Sequence, residues 1–270
     1  MSAAEATSVA RAAPMIQVRS LTKRYGRTAA VKDISFDVAE GEIVGFLGPN
    51  GAGKSTVLKT LSTWLPPTSG EVRIHGHDVV AEPLAVRRSL GYLPEHNALY
   101  EGMRVADLLA FLGRARGLDG ALLKQRLEWV TESCHLSDVL GLRVEQCSKG
   151  YRQRVGLAGA LIHDPPVILL DEPTHGLDPL QVVAFREFLH SLRQGRAILF
   201  SSHILSEVAA ICERVLIVHQ GSLIADANCN ELLERAETEG ADLESIVLNI
   251  VEEAGGREQA LRGGFRGAAQ

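Results

Sequence analysis

The sequence predicts an α/β protein: a mixed β core with an inserted helical subdomain and a short helical C-terminal extension. Three observations carry this expectation. A continuous apolar run, Ile43-Val44-Gly45-Phe46-Leu47, leads directly into a glycine-rich loop and then into helical periodicity. A second run, Val167-Ile168-Leu169-Leu170, ends in two adjacent carboxylates. Both runs read as strands buried on two faces, because a half-exposed strand alternates apolar with polar residues. Between them, from about 83 to 161, apolar residues recur at helical spacing with few strand signals.

Ordered structure is expected from Met15 onward, after a small, alanine-rich N-terminal tail over 1–14 that reads as disordered. Ile16-Gln17-Val18 and residues 34–38 alternate and read as half-buried strands. An amphipathic helix is expected over 55–65, stopped by Pro66-Pro67. A short strand over 71–74 closes in a turn near Gly76. Within the helical subdomain, placed at about 88–162, Leu108, Leu109 and Leu112, then Leu122, Leu123, Leu127 and Val130, mark the helices. Strand and helix then alternate: strand 167–170, helix 181–193, strand 197–200, helix 206–212 and two strands around Gln220-Gly221. The main domain is expected over 15–227, followed by a charged helical extension and tail over 228–270.

Composition narrows the function. The 270 residues are 46% hydrophobic, enough for a sizeable core without staples. A net charge of −5 argues against a general nucleic-acid binder, and no nucleic-acid partner is expected. No apolar run reaches the roughly 18 residues of a membrane span. The four cysteines are scattered, with no Cys-x-x-Cys pair to suggest zinc or a disulfide framework. His75-Gly76-His77 has the spacing of a metal pair, but no further ligand clusters with it in the sequence.

The glycine-rich loop is Gly48-Pro49-Asn50-Gly51-Ala52-Gly53-Lys54-Ser55-Thr56, which fits Gly-x-x-x-x-Gly-Lys-[Ser/Thr]. Glycines let backbone N–H groups converge on phosphate oxygens, and the following helix adds its positive end. Lys54 suits the β- and γ-phosphates and Ser55 a magnesium ion. Asp171, at the end of the second buried strand, suits the same magnesium shell. Glu172, beyond the metal, can orient and deprotonate an attacking water. These residues read as a site that binds and hydrolyses a nucleoside triphosphate.

With these elements in place, the chain resembles the ATPase subunit of an ATP-binding cassette (ABC) transporter, a P-loop NTPase of ABC type, over about 15–227. The resemblance implies that Tyr25, in Leu21-Thr22-Lys23-Arg24-Tyr25-Gly26, stacks on adenine. It places Glu95, in Gly91-Tyr92-Leu93-Pro94-Glu95, at the Q-loop, where the family usually has Gln; a carboxylate can still bind magnesium or hold a water. The signature Leu-Ser-Gly-Gly-Gln reads here Cys147-Ser148-Lys149-Gly150-Tyr151. Ser148 and Gly150 survive, and the resemblance turns them towards the γ-phosphate across a dimer. Asp178, in Thr174-His175-Gly176-Leu177-Asp178, matches the D-loop, and His203 the switch histidine that contacts the γ-phosphate.

The wording Ser-Lys-Gly-Tyr-Arg-Gln-Arg is similar to the drug-export and gliding-motility branch, as is the short C-terminal helix over 242–248. The resemblance implies ATP and Mg2+ as cofactors, with Lys54, Glu172 and His203 as the catalytic set. It implies a second cassette subunit, a homodimer being the simplest case, and a separate integral membrane permease. The location implied is the cytoplasmic face of the membrane, reached through that permease. The alternative is a soluble ABC ATPase in translation, DNA repair or cofactor assembly. Neither the tandem cassettes of the translation type nor the long coiled-coil insertion of the repair type is present. A P-loop kinase or GTPase would leave the segment 148–150 unexplained, and no Asn-Lys-x-Asp guanine motif occurs.

Overall fold

The computed structural model describes residues 14–174 and 179–255, so most of the expected N-terminal tail, and the tail beyond 255, lie outside the described residues. The chain opens with β1 (Ile16–Tyr25), β2 (Thr28–Val38), β3 (Ile43–Leu47) and α1 (Lys54–Leu61). Next come β4 (Ser69–Ile74), β5 (His77–Asp78), α2 (Pro83–Arg88) and β6 (Leu90–Leu93). Three helices follow, α3 (Val105–Ala115), α4 (Gly120–Ser133) and α5 (Lys149–Leu161), before β7 (Val167–Asp171). The chain then runs through α6 (Pro179–Leu192), β8 (Ala197–Ser202), α7 (Leu205–Ile211), β9 (Arg214–His219) and β10 (Ser222–Asn228). Helices α8 (Cys229–Glu239) and α9 (Leu243–Gly255) end the described chain.

Two sheets form. The first, in order β2-β1-β4-β5, is antiparallel; the second runs β10-β9-β3-β8-β7-β6 and is parallel except for β10. Strand β7 shows how the parallel sheet is built. Val167 and Leu169 enter the core shared with the antiparallel sheet and α1, whereas Ile168 and Leu170 enter the core shared with the helices. A period of two with both faces covered turns a continuous apolar run into a central strand. Phe36 of β2 and Phe46 of β3 meet between the sheets with ring centroids 5.7 Å apart.

Three differences from the sequence reading have local causes. Strands β1 and β2 are longer than the segments 16–18 and 34–38. Ser20 and Asp33 have positive φ, and register shifts interrupt the pairing, so the alternation that marks a strand is broken partway. Helix α1 ends at Leu61, not 65: Ser62 caps it, and Thr63 adopts a left-handed φ of 64° that turns the chain before the prolines. Within the span read as helical, Leu90–Leu93 forms β6, the edge of the parallel sheet beside β7. Its Gly91 packs so closely on α5 that an added Cβ would collide with the Ala160 carbonyl. Four residues containing a glycine and a tyrosine are too short to separate strand from helix by period.

Candidate nucleotide site

The site forms where parallel strands deliver their C-terminal ends side by side. Strand β3 releases the chain at Leu47 into the glycine-rich loop, and α1 takes it up at Lys54. The loop is held tightly: Gly48 lies against the Val218 carbonyl with no room for a Cβ, and a Cβ on Gly53 (φ +108°) would sit 2.6 Å from the Ala30 oxygen. Gly221 N donates to Ala52 O at 2.9 Å, so the β9–β10 turn buttresses the loop from outside. These contacts require glycine on steric grounds, and the Lys-Ser pair supplies the chemistry.

Lys54 is only 6% exposed. Its ammonium donates to the Gly48 carbonyl at 2.6 Å and lies 3.4 Å from Glu172 Oε1. The other carboxylate oxygen, Glu172 Oε2, is 2.8 Å from His203 Nδ1, which donates to it. Glu172 follows β7 with φ +49°, a left-handed conformation uncommon for a residue with a Cβ. Its N–H donates to both the carbonyl and the hydroxyl of Ser201, at 3.1 and 3.2 Å. The backbone is thus bent and tied down where the carboxylate must face Lys54, a form of local strain found at functional positions.

Asp171 is buried beside it. Ser201 Oγ donates to its Oδ1 at 2.6 Å, and Ser55 Oγ reaches the same oxygen at 3.4 Å. Burial pushes the Asp171 carboxyl above the usual range, the two hydroxyls pull it down, and the charges of Glu172 and Glu95 raise it further. A cation placed between Asp171 and Ser55 would relieve that cost. Among the described residues no group of three or more His, Cys, Asp or Glu side chains could hold a metal by itself. The pair of Asp171 and Ser55 suits magnesium, which takes one or two carboxylates and completes its shell with phosphate oxygens and water. The donors present fit it.

Glu95 lines a cleft of about 860 Å³ that also includes Ser55, Asp171 and Tyr92. Its carboxylate stands near His96 at 3.9 Å. Tyr92 places a buried hydroxyl there that has no hydrogen-bond partner among the described residues, and burial together with Asp171 and Glu95 pushes its pKa up. Tyr25 sits 49% exposed at the end of β1, opposite Thr28, with the Lys23 ammonium 5.6 Å from its ring centre. Strand β2 continues from there to Ala30 and Val31, which flank Gly53 of the loop.

Ser148 and Gly150 belong to another place. Ser148 is the N-cap of α5 and its hydroxyl accepts from Tyr151 N at 3.3 Å. Among the described residues, no hydrogen bond or ion pair joins either of them to Lys54, Asp171 or Glu172. Cys147 is buried, as a small thiol in place of Leu permits. Asp178 lies outside the described residues. His77 faces Glu82 at 3.1 Å in the β4–β5 turn region, away from this cluster.

Sequence reasoning gave no role to Ser201, Ser202, Thr174, Glu207 or Tyr92. Ser201 organises both carboxylates, while Ser202 and Thr174 donate to Glu207 Oε2 at 3.0 and 2.6 Å and tie β7, β8 and α7 together. The available signal was a pair of hydroxyl residues closing an otherwise apolar strand.

A glycine-rich anion loop after β3, a buried lysine and two carboxylates at the end of β7 define a P-loop ATPase, an enzyme that binds and hydrolyses ATP. The sequence pattern of the family described as ABC transporter matches residues 31–175. The chain is 40% identical over 222 residues to the ABC transporter ATP-binding protein NatA of Bacillus subtilis (strain 168), covering 82% of this chain and 89% of NatA. It is 38% identical over 234 residues to the daunorubicin resistance ATP-binding protein DrrA3 of Streptomyces coeruleorubidus, covering 86% and 73%. Its fold matches the dimeric post-hydrolysis structure of the ATP-binding cassette MJ0796 bound to ADP and Pi. There the TM-score is 0.73 at 25% identity, covering 80% of this chain and 99% of that one. The chain belongs to the ABC transporter family, as an ATP-binding subunit.

Proposed function

We propose that this subunit is the motor of an exporter, closing head to tail with a second copy around two ATP molecules to drive a separate membrane permease. The observation that carries this reading is the division of the site. Lys54, Asp171, Glu172 and His203 converge in one cluster, whereas Ser148 and Gly150 open a different helix. They would complete the site of the opposite copy, where the start of α5 offers N–H groups and a hydroxyl to the γ-phosphate. The dimeric cassette among the related structures supports that arrangement. The drug-resistance relative supports export. No helix of the described residues is long and apolar enough to cross a membrane, in keeping with a partner that supplies the spans.

In this reading Tyr25 stacks on adenine, the backbone of 48–56 wraps the phosphates, and Lys54 balances their charge. Magnesium, held by Ser55 and Asp171 with Glu95 nearby, would neutralise the phosphate oxygens. Glu172 takes a proton from water as the water oxygen bonds to the γ-phosphorus and the bond to the ADP oxygen breaks. His203 fixes the Glu172 carboxylate in place, and Asp178 reaches the opposite copy. Hydrolysis removes the bridging phosphate and the dimer opens. The test is affinity purification of the chain from its native membranes, followed by transport assays with whatever permease is retained. A permease whose outward transport requires the chain supports the reading; a wholly soluble native protein with no membrane partner overturns it.

A further inference from the structure

A second cavity, of about 350 Å³, lies away from the nucleotide site, between the end of α4, α5 and α6. Its volume is in the range of small-molecule pockets. Leu93, Cys134 and Leu157 make a buried apolar floor, and Phe185 and Phe188 of α6 make an aromatic wall. The polar lining is sparse and unequal. Arg154 is half-buried, stands 5.7 Å from the Tyr151 ring, and has no carboxylate partner among the described residues. Glu187 also reaches the lining but is exposed, so water screens it. His135 lies at the rim, exposed, in the left-handed turn that ends α4.

We infer that this cavity binds an aromatic or aliphatic small molecule carrying one anionic group, its apolar body against Phe185 and Phe188 and its anion on Arg154. A buried apolar floor beside one half-desolvated guanidinium matches that class of ligand. A cation would gain only the solvated Glu187, because a charge-assisted hydrogen bond is stronger where water is excluded. Pro173 completes the wall, and Gln153 Nε2 donates to its carbonyl at 3.2 Å. An occupant would therefore touch both the helical layer and the residue after Glu172.

Two fluorescent probes that differ in charge test the inference: 8-anilinonaphthalene-1-sulfonate and the neutral N-phenyl-1-naphthylamine. Both are titrated into the full chain at saturating ADP and magnesium, so that the nucleotide site does not contribute. Saturable binding of both probes is expected, tighter for the sulfonate. Ala184→Trp, which fills the cavity from an exposed helix position, should weaken both at least about tenfold. Arg154→Gln should weaken the sulfonate about tenfold and leave the neutral probe unchanged, the size expected for one charge-assisted hydrogen bond. Phe188→Ala, which removes part of the wall, should weaken both and decides the matter if Ala184→Trp fails to fold. Titrations unaltered by Ala184→Trp or Phe188→Ala would overturn the site. Equal losses of the two probes in Arg154→Gln would overturn the anionic ligand.

Discussion

Glu172 is held from both sides: His203 Nδ1 donates to Oε2 at 2.8 Å while the Lys54 ammonium faces Oε1 at 3.4 Å. The backbone beneath it is pinned by Ser201 in a left-handed conformation. A carboxylate held this firmly is oriented before any substrate arrives, which is where general-base catalysis gains. Glu172→Gln keeps the shape and removes the basic oxygen. We predict ATP affinity within about threefold of the parent and hydrolysis slowed by about 10²–10³-fold, within the usual contribution of a positioned base. ATP-bound dimer should accumulate on size-exclusion chromatography. Near-normal phosphate release in a single turnover would remove Glu172 from the role of base.

Lys54 and Glu172 are both almost fully buried, so each is the other's compensation. Removing one partner of a buried pair typically costs about 3–5 kcal/mol because a desolvated charge is left behind. Here His203 remains beside Glu172, and a loss of about 2–3 kcal/mol is expected for Lys54→Met. Adding Glu172→Gln should recover most of that loss. Chemical denaturation of the two single variants and the double variant measures the coupling. Strictly additive losses would show that the pair is geometric only. ATP binding should be lost in every variant lacking Lys54, since nothing else in the loop is cationic.

Glu95 stands where the family usually has Gln, half-exposed, with His96 3.9 Å from its carboxylate. It shares a cleft with Ser55 and Asp171 without bonding to either. An amide at that position can still hold a water or bind a cation through its oxygen. Glu95→Gln should therefore keep turnover within about threefold, while its carboxylate's contribution to the negative field on Asp171 and Tyr92 disappears. A loss of two orders of magnitude in steady-state ATPase rate would assign the charge itself a task.

The parts of the site legible in the sequence are those where chemistry and spacing coincide. The loop 48–56 and the pair Asp171-Glu172 each join a buried strand to polar residues at its end, and that pattern is local. What escaped was long-range. Ser201 bonds to residues some thirty positions away, and nothing in a short window says which strands will be neighbours. Strand β6 escaped because four residues do not define a period. The bulged strands β1 and β2 were read in fragments because positive-φ residues break the alternation. Ser148 was legible as a family signature residue, and the structure adds that it caps α5.

Asp171 makes stability depend on pH in an unusual direction. Its folded-state pKa is raised, so the folded protein holds the proton more tightly than the unfolded chain does. That contribution is fully present below the unfolded value of 3.8 and is lost as pH rises through the folded value. At neutral pH the ionised carboxylate is thus a cost to folding. Asp171→Asn, which can still accept from Ser201, should melt higher than the parent at pH 7.5. The gap should shrink as pH falls towards 4. The same variant should lose at least about 10²-fold in ATPase rate if the carboxylate anchors magnesium. Thermal melts across that range, paired with magnesium-dependent ATPase assays, check both halves; a variant that melts lower at neutral pH contradicts the electrostatic account.

His163 provides the opposite sign. It sits at the junction of α5 and β6, where its Nε2 donates to the Leu90 carbonyl at 3.1 Å and its buried Nδ1 has no partner among the described residues. Burial, with the positive charges of Arg116 and Arg126 nearby, pushes its pKa down from 6.5 to about 4. A lowered histidine contributes stability that is present above the unfolded value of 6.5 and lost as pH falls towards the folded value. Because the unfolded chain takes up the proton first, the wild type should lose about 2 kcal/mol between pH 7.5 and pH 5 through this group. His163→Gln keeps the donor to Leu90 and cannot be protonated. Urea unfolding at the two pH values should therefore show a smaller drop for the variant, by about that amount. Equal drops would mean that the imidazole finds water or a new partner when charged, and that the α5–β6 junction opens before the fold does.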